Sequence, residues 1–295
     1  MSLELLKAAQ EGDEQQVKLL LDKGEKIDEQ DRDGRTPLMI AVINNNLSLA
    51  KLLLERGADL NIRDNTMLSP WLCAGANGFH KILRTALKYN PEISSTNRFG
   101  GTVLLPSSEK GYLKTVETAL EAGVSVNHMN DLGWSALQEA VILGNGGFLY
   151  RDIIRKLMQF GADPDLKDHE GKTAKDWAVS RGEHSVIELL EGRADNNYQE
   201  IRALIDKEAY DEAITLLCEP DSLEKCYLLG HCYTLEERYE DALEIYRKAA
   251  GMDGGSPEFL FYSANVLRTM KRVEDTLDEY DKAIQAAPDY FFYRY

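Results

Sequence analysis

The sequence predicts an all-α solenoid assembled from helix pairs of two kinds. Three observations carry that prediction. A Thr or Ser suited to open a helix recurs at Thr36, Ser69, Thr102 and Ser135, each step 33 residues. The position suited to close the helix that follows falls at Gly57, Asn90, Gly123 and Gly161, with steps of 33, 33 and 38. Beyond residue 194 the apolar pattern continues with a period of 34.

The stretch from Asp33 to Asp64 defines the first kind of unit. Gly34 supplies a tight turn, the Thr36 hydroxyl is placed to cap a helix, and Pro37 takes the first helical position, where its missing N–H costs nothing. A second helix is predicted through Leu47, Ala50, Leu53 and Leu54, which recur at helical spacing. Gly57 ends it, because glycine adopts the left-handed backbone without a Cβ clash, and Ala58-Asp59-Leu60-Asn61 leads to the next turn. One such pair cannot bury its apolar face alone, so the unit must stack on copies of itself.

With Thr-Pro-Leu and Gly-Ala-Asp markers held in phase at a step of 33, the region resembles an ankyrin-repeat array. The resemblance implies helix pairs joined by short β-hairpin turns, over residues 1–193 in about six units. Residues 2–31 read as an N-terminal cap, with Leu5, Leu6, Ala8, Ala9, Val17 and Leu19-Leu20-Leu21 as its apolar stripe. Residues 32–64 are the unit described above. In residues 65–97, Tyr89-Asn90-Pro91 replaces Gly-Ala-Asp, with Asn as the next best left-handed residue. Residues 98–130 place Pro106 inside their first helix, which is expected to bend it. Residues 131–168 carry five extra residues, expected as a loop around Gly144–Tyr150 that presents Phe148 and Tyr150. Residues 169–193 close the array.

The run from Phe99 to Gly182, including Leu132-Gly133-Trp134-Ser135-Ala136-Leu137 and Phe160-Gly161-Ala162-Asp163-Pro164, is similar to a group of bacterial ankyrin proteins. That likeness implies a bacterial source and brings no activity with it.

Residues 194–295 resemble tetratricopeptide repeats. Gly230, Leu229 and Tyr233 fit a first helix, and Ala242, Tyr246 and Ala249 a second. Adding 34 reaches Ala264, Ser263, Leu267, Thr276, Tyr280 and Ala283, with Pro288 at the terminating position. A degenerate unit with Tyr210, Ala213 and Leu217 precedes them. The implied form is a helical superhelix with a groove.

Composition narrows the function classes. The chain has 295 residues, of which 43% are hydrophobic and 28% charged, a globular balance with two domains expected. A net charge of −16 disfavours nucleic acid or an anionic membrane as partner. Residues 194–295 hold 22 acidic and 11 basic side chains, so this part carries most of the charge. No apolar run reaches the ~18 residues that span a bilayer, and the N-terminus lacks a secretory pattern. Cys73, Cys218, Cys226 and Cys232 are too few and too irregular for a disulfide framework or zinc site, so a cytoplasmic location is expected.

No catalytic constellation, metal site or cofactor motif stands out. The five histidines lack metal-ligand spacing, and the Gly144–Gly147 run lacks the lysine of a phosphate loop. The resemblances place partner-binding residues instead. On the ankyrin region these are Phe99 and Trp134 at the turn tips, with Glu109, Lys110, Glu139 and Arg181 on the first helices. On the second region they are Tyr227, His231, Phe261, Asn265 and Arg268. Tyr227 and Phe261 stand where a carboxylate clamp wants lysines, which favours an aromatic groove for a peptide.

The expected function is a non-enzymatic scaffold binding proteins or peptides. An alternative is a small-molecule or enzymatic pocket at Glu109, Glu139 and the Gly144–Gly147 loop. A third is homo-oligomer assembly through Tyr290–Tyr295, since repeat arrays normally end in a polar cap and this chain ends in aromatics; a truncated array explains the same ending. Light scattering separates these. If the aromatic tail joins copies, deleting residues 290–295 lowers the measured mass; an unchanged mass rejects assembly through the tail.

Overall fold

The computed structural model describes residues 4–193, 198–252 and 256–287. Ala194–Asn197, Pro288 and the aromatic run Tyr290–Tyr295 lie outside them. The chain divides into two compact units. Residues up to Gly144 with Leu149–Leu190 form the first, and Asn145–Phe148 with the residues from Glu191 onward form the second.

The first unit is a series of helix pairs: α1 (Glu4–Glu11) with α2 (Glu14–Asp22), α3 (Pro37–Ile43) with α4 (Leu47–Glu55), and α5 (Pro70–Ala76) with α6 (His80–Ala86). There follow α7 (Leu104–Glu109) with α8 (Leu113–Glu121), α9 (Ala136–Ile142) with α10 (Phe148–Gln159), and α11 (Ala174–Arg181) with α12 (His184–Leu190). The first helices α1, α3, α5, α7, α9 and α11 pack in sequence, and α4, α6 and α8 stack beside them. Between these layers Leu38, Leu49, Leu53, Leu83, Val103, Val116 and Ile153 are at most 1% exposed. Gly75 is what lets α5 and α7 approach: a Cβ there would sit 2.7 Å from that of Val103, and Ser107 Oγ donates to the Gly75 carbonyl at 3.0 Å.

Capping oxygens begin most first helices as the sequence indicates. Thr36 Oγ1 accepts the N–H of Met39, Ser69 Oγ that of Leu72, Ser135 Oγ that of Gln138 and Thr173 Oγ1 that of Asp176. Thr102 does not follow them; its buried hydroxyl has no partner and α7 starts at Leu104. The expected bend at Pro106 is corrected by this shift. Pro106 stands third in α7, in the first turn, where a backbone N–H has no intrahelical acceptor to lose. Asn90 takes the left-handed backbone at φ 52°, as its place in the period requires.

Two further expectations are revised. Among the described residues the hairpin turns contain no strand, only one isolated bridge, between Met129 and Ser135. A backbone bond closes each turn, from the N–H of Asp31, Asp64, Asn97, Asn130 or Asp168 to the carbonyl four residues on, and the side-chain oxygen of the same residue shapes it further. Asp31 accepts the N–H groups of Asp33 and Arg35, Asp64 those of Thr66 and Leu68, and Asn97 those of Phe99 and Gly101. Asn130 accepts from Leu132 and Trp134, and Asp168 from Glu170 and Lys172. All ten distances lie between 2.8 and 3.1 Å. These are Asx turns, in which a short polar side chain supplies a further acceptor beside the backbone bond.

The five extra residues of the fifth pair are also not all loop. The connection Leu143–Gly147 has five residues where the connection before α4 has three, and α10 has 12 residues against nine in α4. Tyr150 is not presented but buried at 1% exposure, its hydroxyl donating to the Glu109 carbonyl at 2.7 Å.

The second unit contains α13 (Gln199–Asp206), α14 (Tyr210–Leu216), α15 (Leu223–Leu235), α16 (Tyr239–Ala250), α17 (Glu258–Thr269) and α18 (Val273–Ala286). Each packs against the next. Small residues set the spacing: a Cβ on Gly230 of α15 would fall 2.3 Å from the Tyr246 ring of α16, and Ala242, Ala249, Ala264 and Ala283 are fully buried. Ion pairs cross the helices, Arg202 to Glu224 at 2.8 Å and Arg247 to Glu279 at 3.0 Å.

Candidate functional site

In the first unit the repeated Asx oxygen leaves the residue two places on at the tip of each turn. At consecutive tips those residues are Thr66, Phe99 and Leu132. Phe99 is 59% exposed and Leu132 56%, with Met67 at 48% beside them. Val179, Leu216, Val273 and Leu277 are as far into solvent, but Phe99 and Leu132 stand one repeat apart on equivalent turns. The Phe99 amide is fixed twice, its N–H by Asn97 and its carbonyl by the N–H of Asp131. Arg98 lies over the Phe99 ring, 4.7 Å from its centroid. The tips therefore form an ordered apolar row.

The other sequence-selected residues of this unit are committed internally. Trp134 is half-buried, and its side chain hydrogen-bonds the Asp168 carboxylate, which also accepts Trp177 Nε1 at 2.8 Å. Burial pulls the Asp168 carboxyl upward, but those donors and the amides of Lys172 and Glu170 outweigh it and hold it below the usual range. Lys110 Nζ donates to the Ala76 carbonyl at the end of α5. Arg181 does the same for α9, donating to the Ile142 and Gly144 carbonyls at 3.0 and 2.9 Å. Each thus satisfies helix-end carbonyls of the preceding repeat, which the sequence pattern did not reveal.

Glu139 is the outlier. It is 7% exposed; Oε1 accepts Asn130 Nδ2 at 2.8 Å and Oε2 has no partner. Because Asn130 Oδ1 shapes the turn that holds Leu132, Glu139 steadies a tip from beneath. Burial, with the nearby Glu109, pushes its carboxyl up to about 8. Glu109 is raised as well, by burial, against the opposing pull of Lys110.

In the second unit the selected aromatics converge. Tyr227 is 1% exposed and stacks on His231 with centroids 5.8 Å apart; Tyr262 lies 5.5 Å from Tyr227. Phe261, 5% exposed, packs 5.9 Å from Tyr280, whose hydroxyl donates to Asn265 Oδ1 at 2.8 Å. Arg268 is exposed. Sequence reasoning missed Glu258 and Phe259, which sit among these rings. Phe148, expected on a presented loop, instead stacks its ring on Tyr227 at 5.6 Å and 16°. The spacing of the repeats located the extra residues that carry Phe148 but gave no signal for its seat among these rings, because the segment Asn145–Phe148 is distant from them in sequence.

Among the described residues no group of three or more His, Cys, Asp or Glu is placed to hold a metal, and no helix is long and apolar enough to cross a membrane. The described residues define a stacked helical repeat protein with ordered tips and a buried aromatic cluster, a class whose members generally act by binding proteins. The ankyrin-repeat family matches at residues 5–64, 71–168 and 107–203, and the chain belongs to it.

Solved ankyrin structures are similar to about two thirds of the chain. EF0377, an ankyrin repeat protein, is 41% identical with a TM-score of 0.63, covering 66% of this chain and 99% of that one. An ankyrin repeat domain from Acinetobacter baumannii AYE is 44% identical with a TM-score of 0.64, covering 65% and 98%. A chain in the complex of Bd0816, a predatory endopeptidase from Bdellovibrio bacteriovorus, with immunity protein Bd3460 is 28% identical, with a TM-score of 0.56 and coverage of 65% and 98%. Among curated proteins, the ankyrin repeat protein YahD of Escherichia coli (strain K12) is 39% identical over 59 residues, 20% of this chain and 29% of YahD. An ankyrin repeat-containing protein of Treponema pallidum (strain Nichols) is 36% identical over 80 residues, 27% and 25%. The chain thus spans under a third of the curated relatives it matches. The named sources are bacterial, as the resemblance implied.

The Glu139 carboxyl yields a pH prediction. Its folded value lies above the unfolded one of 4.5, so the neutral form favours folding; that contribution is complete below 4.5 and is lost as pH rises towards about 8. Glu139→Gln keeps the neutral shape. Urea titrations should show the variant gaining on wild type by about 4 kcal/mol between pH 5 and pH 9. Parallel curves for the two proteins would contradict a buried, protonated Glu139.

Proposed function

We propose that the chain is a non-enzymatic, cytoplasmic scaffold that holds protein partners on two surfaces. One is the tip row of the ankyrin unit. The other is the groove of the second unit, which we read as a tetratricopeptide-type superhelix of residues 194–295 following the ankyrin domain of residues 1–193. The observation that carries the first surface is the pair Phe99 and Leu132, more than half exposed on tips fixed by Asn97 and Asn130. Exposed apolar anchors on a rigid support suit a protein interface, because desolvated aromatics contribute heavily to binding and little ordering entropy remains to be lost. The complex of the Bdellovibrio endopeptidase with its immunity protein contains a chain built like the ankyrin unit, which supports a folded protein as partner.

The reading of the second unit is supported by Gly230 against Tyr246, the buried alanines at 34-residue spacing and the cluster around Tyr227 and Phe261. Phe99, Glu109, Lys110, Trp134, Glu139 and Arg181 remain proposed as belonging to the first face. Within that group Phe99 makes contact and the others hold its support. His231, Asn265 and Arg268 belong to the second. No cofactor is required. The net charge of −16 suits a basic partner.

A pull-down from bacterial lysate tests this, using wild type, Phe99→Ser/Leu132→Ser and Arg268→Glu. The account expects a reproducible protein partner that falls at least tenfold with the tip variant while circular dichroism is unchanged. A partner retained by the tip variant and lost by Arg268→Glu moves the function to the groove. A wild type that enriches no protein overturns the scaffold reading.

A further inference from the structure

The segment Asn145–Phe148 is a short bend within the second unit, ending on the first residue of α10, and its contacts are specific. Phe148 lies between Tyr227, at 5.6 Å, and Phe259, at 6.1 Å. Its backbone N–H donates to Glu258 Oε2 at 3.1 Å, and the same oxygen accepts the Tyr262 hydroxyl at 2.8 Å. Glu258 is only 5% exposed, so its position is set by these donors. A Cβ on Gly147 would lie 1.7 Å from that Oε2, and 2.9 Å from Asn145 Oδ1. Any side chain at this position would have to move the Glu258 oxygen aside and break both of its hydrogen bonds in a buried place, which favours glycine before the aromatic ring. Asn145 Oδ1 accepts the Gly147 N–H at 2.9 Å and folds the segment into the bend that this fit needs. Gly146, at φ 64°, completes the bend with a backbone that an L side chain rarely adopts.

We infer that this groove recognises peptides carrying two glycines followed by an aromatic residue, and that the chain masks it with its own Asn-Gly-Gly-Phe. The aromatic side chain enters between Tyr227 and Phe259, where offset stacking adds to burial. The Glu258 carboxylate reads the peptide N–H, and the closeness of its oxygen rejects any side chain at the preceding position. Because the internal segment is tethered, its effective concentration is of order millimolar, and a free peptide of similar affinity competes poorly. A partner gains access by a longer match, or when the internal segment is withdrawn. This rests on the reading of the second unit as a peptide groove.

The test uses the full chain as wild type, Phe148→Ala and Gly147→Ala. The probe is a fluorescein-labelled peptide Gly-Asn-Gly-Gly-Phe-Leu-Tyr, with a second in which the fourth residue is Ala. By anisotropy, Phe148→Ala should bind the first peptide at least tenfold tighter than wild type does, and the second at least tenfold more weakly than the first. Gly147→Ala expels the segment by a different route and should also gain affinity, which keeps the test valid if Phe148→Ala fails to fold. Equal binding of the two peptides, or no gain in a folded variant, overturns the inference. Selection of a random heptapeptide library on the folded variant then separates the two readings. Enrichment of an unrelated sequence sinks the glycine–aromatic rule and leaves a peptide groove; enrichment of nothing sinks both.

Discussion

The ankyrin unit depends on one oxygen per repeat. Asp31, Asp64, Asn97, Asn130 and Asp168 each turn a side-chain oxygen back onto two amides of the following chain, and this reinforces the backbone bond that closes each turn. Each turn then has its exit direction fixed. With the exit fixed, the next capping residue lands where its helix begins, and the next apolar face lands on the previous one. Hydrogen bonds a repeat apart tie consecutive turns: Gln30 to the Arg63 carbonyl, Asn65 to that of Arg32, and Arg63 to that of Thr96. An array so linked has little freedom left at its tips.

Function follows from what is left outside this network. Lys110, Trp134, Glu139 and Arg181 all carry polar groups that a surface reading assigns to a partner, yet each meets a demand of the fold itself. Unsatisfied helix-end carbonyls and turn amides are costly when buried, so the first use of a nearby donor or acceptor is structural. Phe99 and Leu132 satisfy no such demand. In the second unit the division is reversed. There the aromatics expected to face a partner are buried, against each other and against Phe148, so recognition chemistry and packing coincide.

Much of the architecture was legible in the residues because solenoids repeat their local chemistry. The step of 33 located the caps at Thr36, Ser69 and Ser135 and the left-handed turn at Asn90. The Asx series was equally periodic from Asp31 to Asn130 and passed unnoticed, since short polar residues in a turn read as solvated surface. Pro106 misled for a different reason: whether a proline bends a helix depends on where that helix starts, and Thr102 gave a false start. Contacts distant in sequence had no local signal. Neither the burial of Glu139 nor the seat of Phe148 follows from periodicity, because both depend on which segments the fold brings together.

The claim beneath all of this is that a side-chain oxygen orders each tip before any partner arrives. Amide hydrogen exchange on the free protein tests it directly, read at the pairs Thr66 and Leu68, Phe99 and Gly101, Leu132 and Trp134, and Glu170 and Lys172. The account predicts protection of about tenfold or more at both members of every pair, recurring with the repeat. Exchange at the rate of an unstructured loop at these positions would contradict it, and the tip row would then have no rigid support.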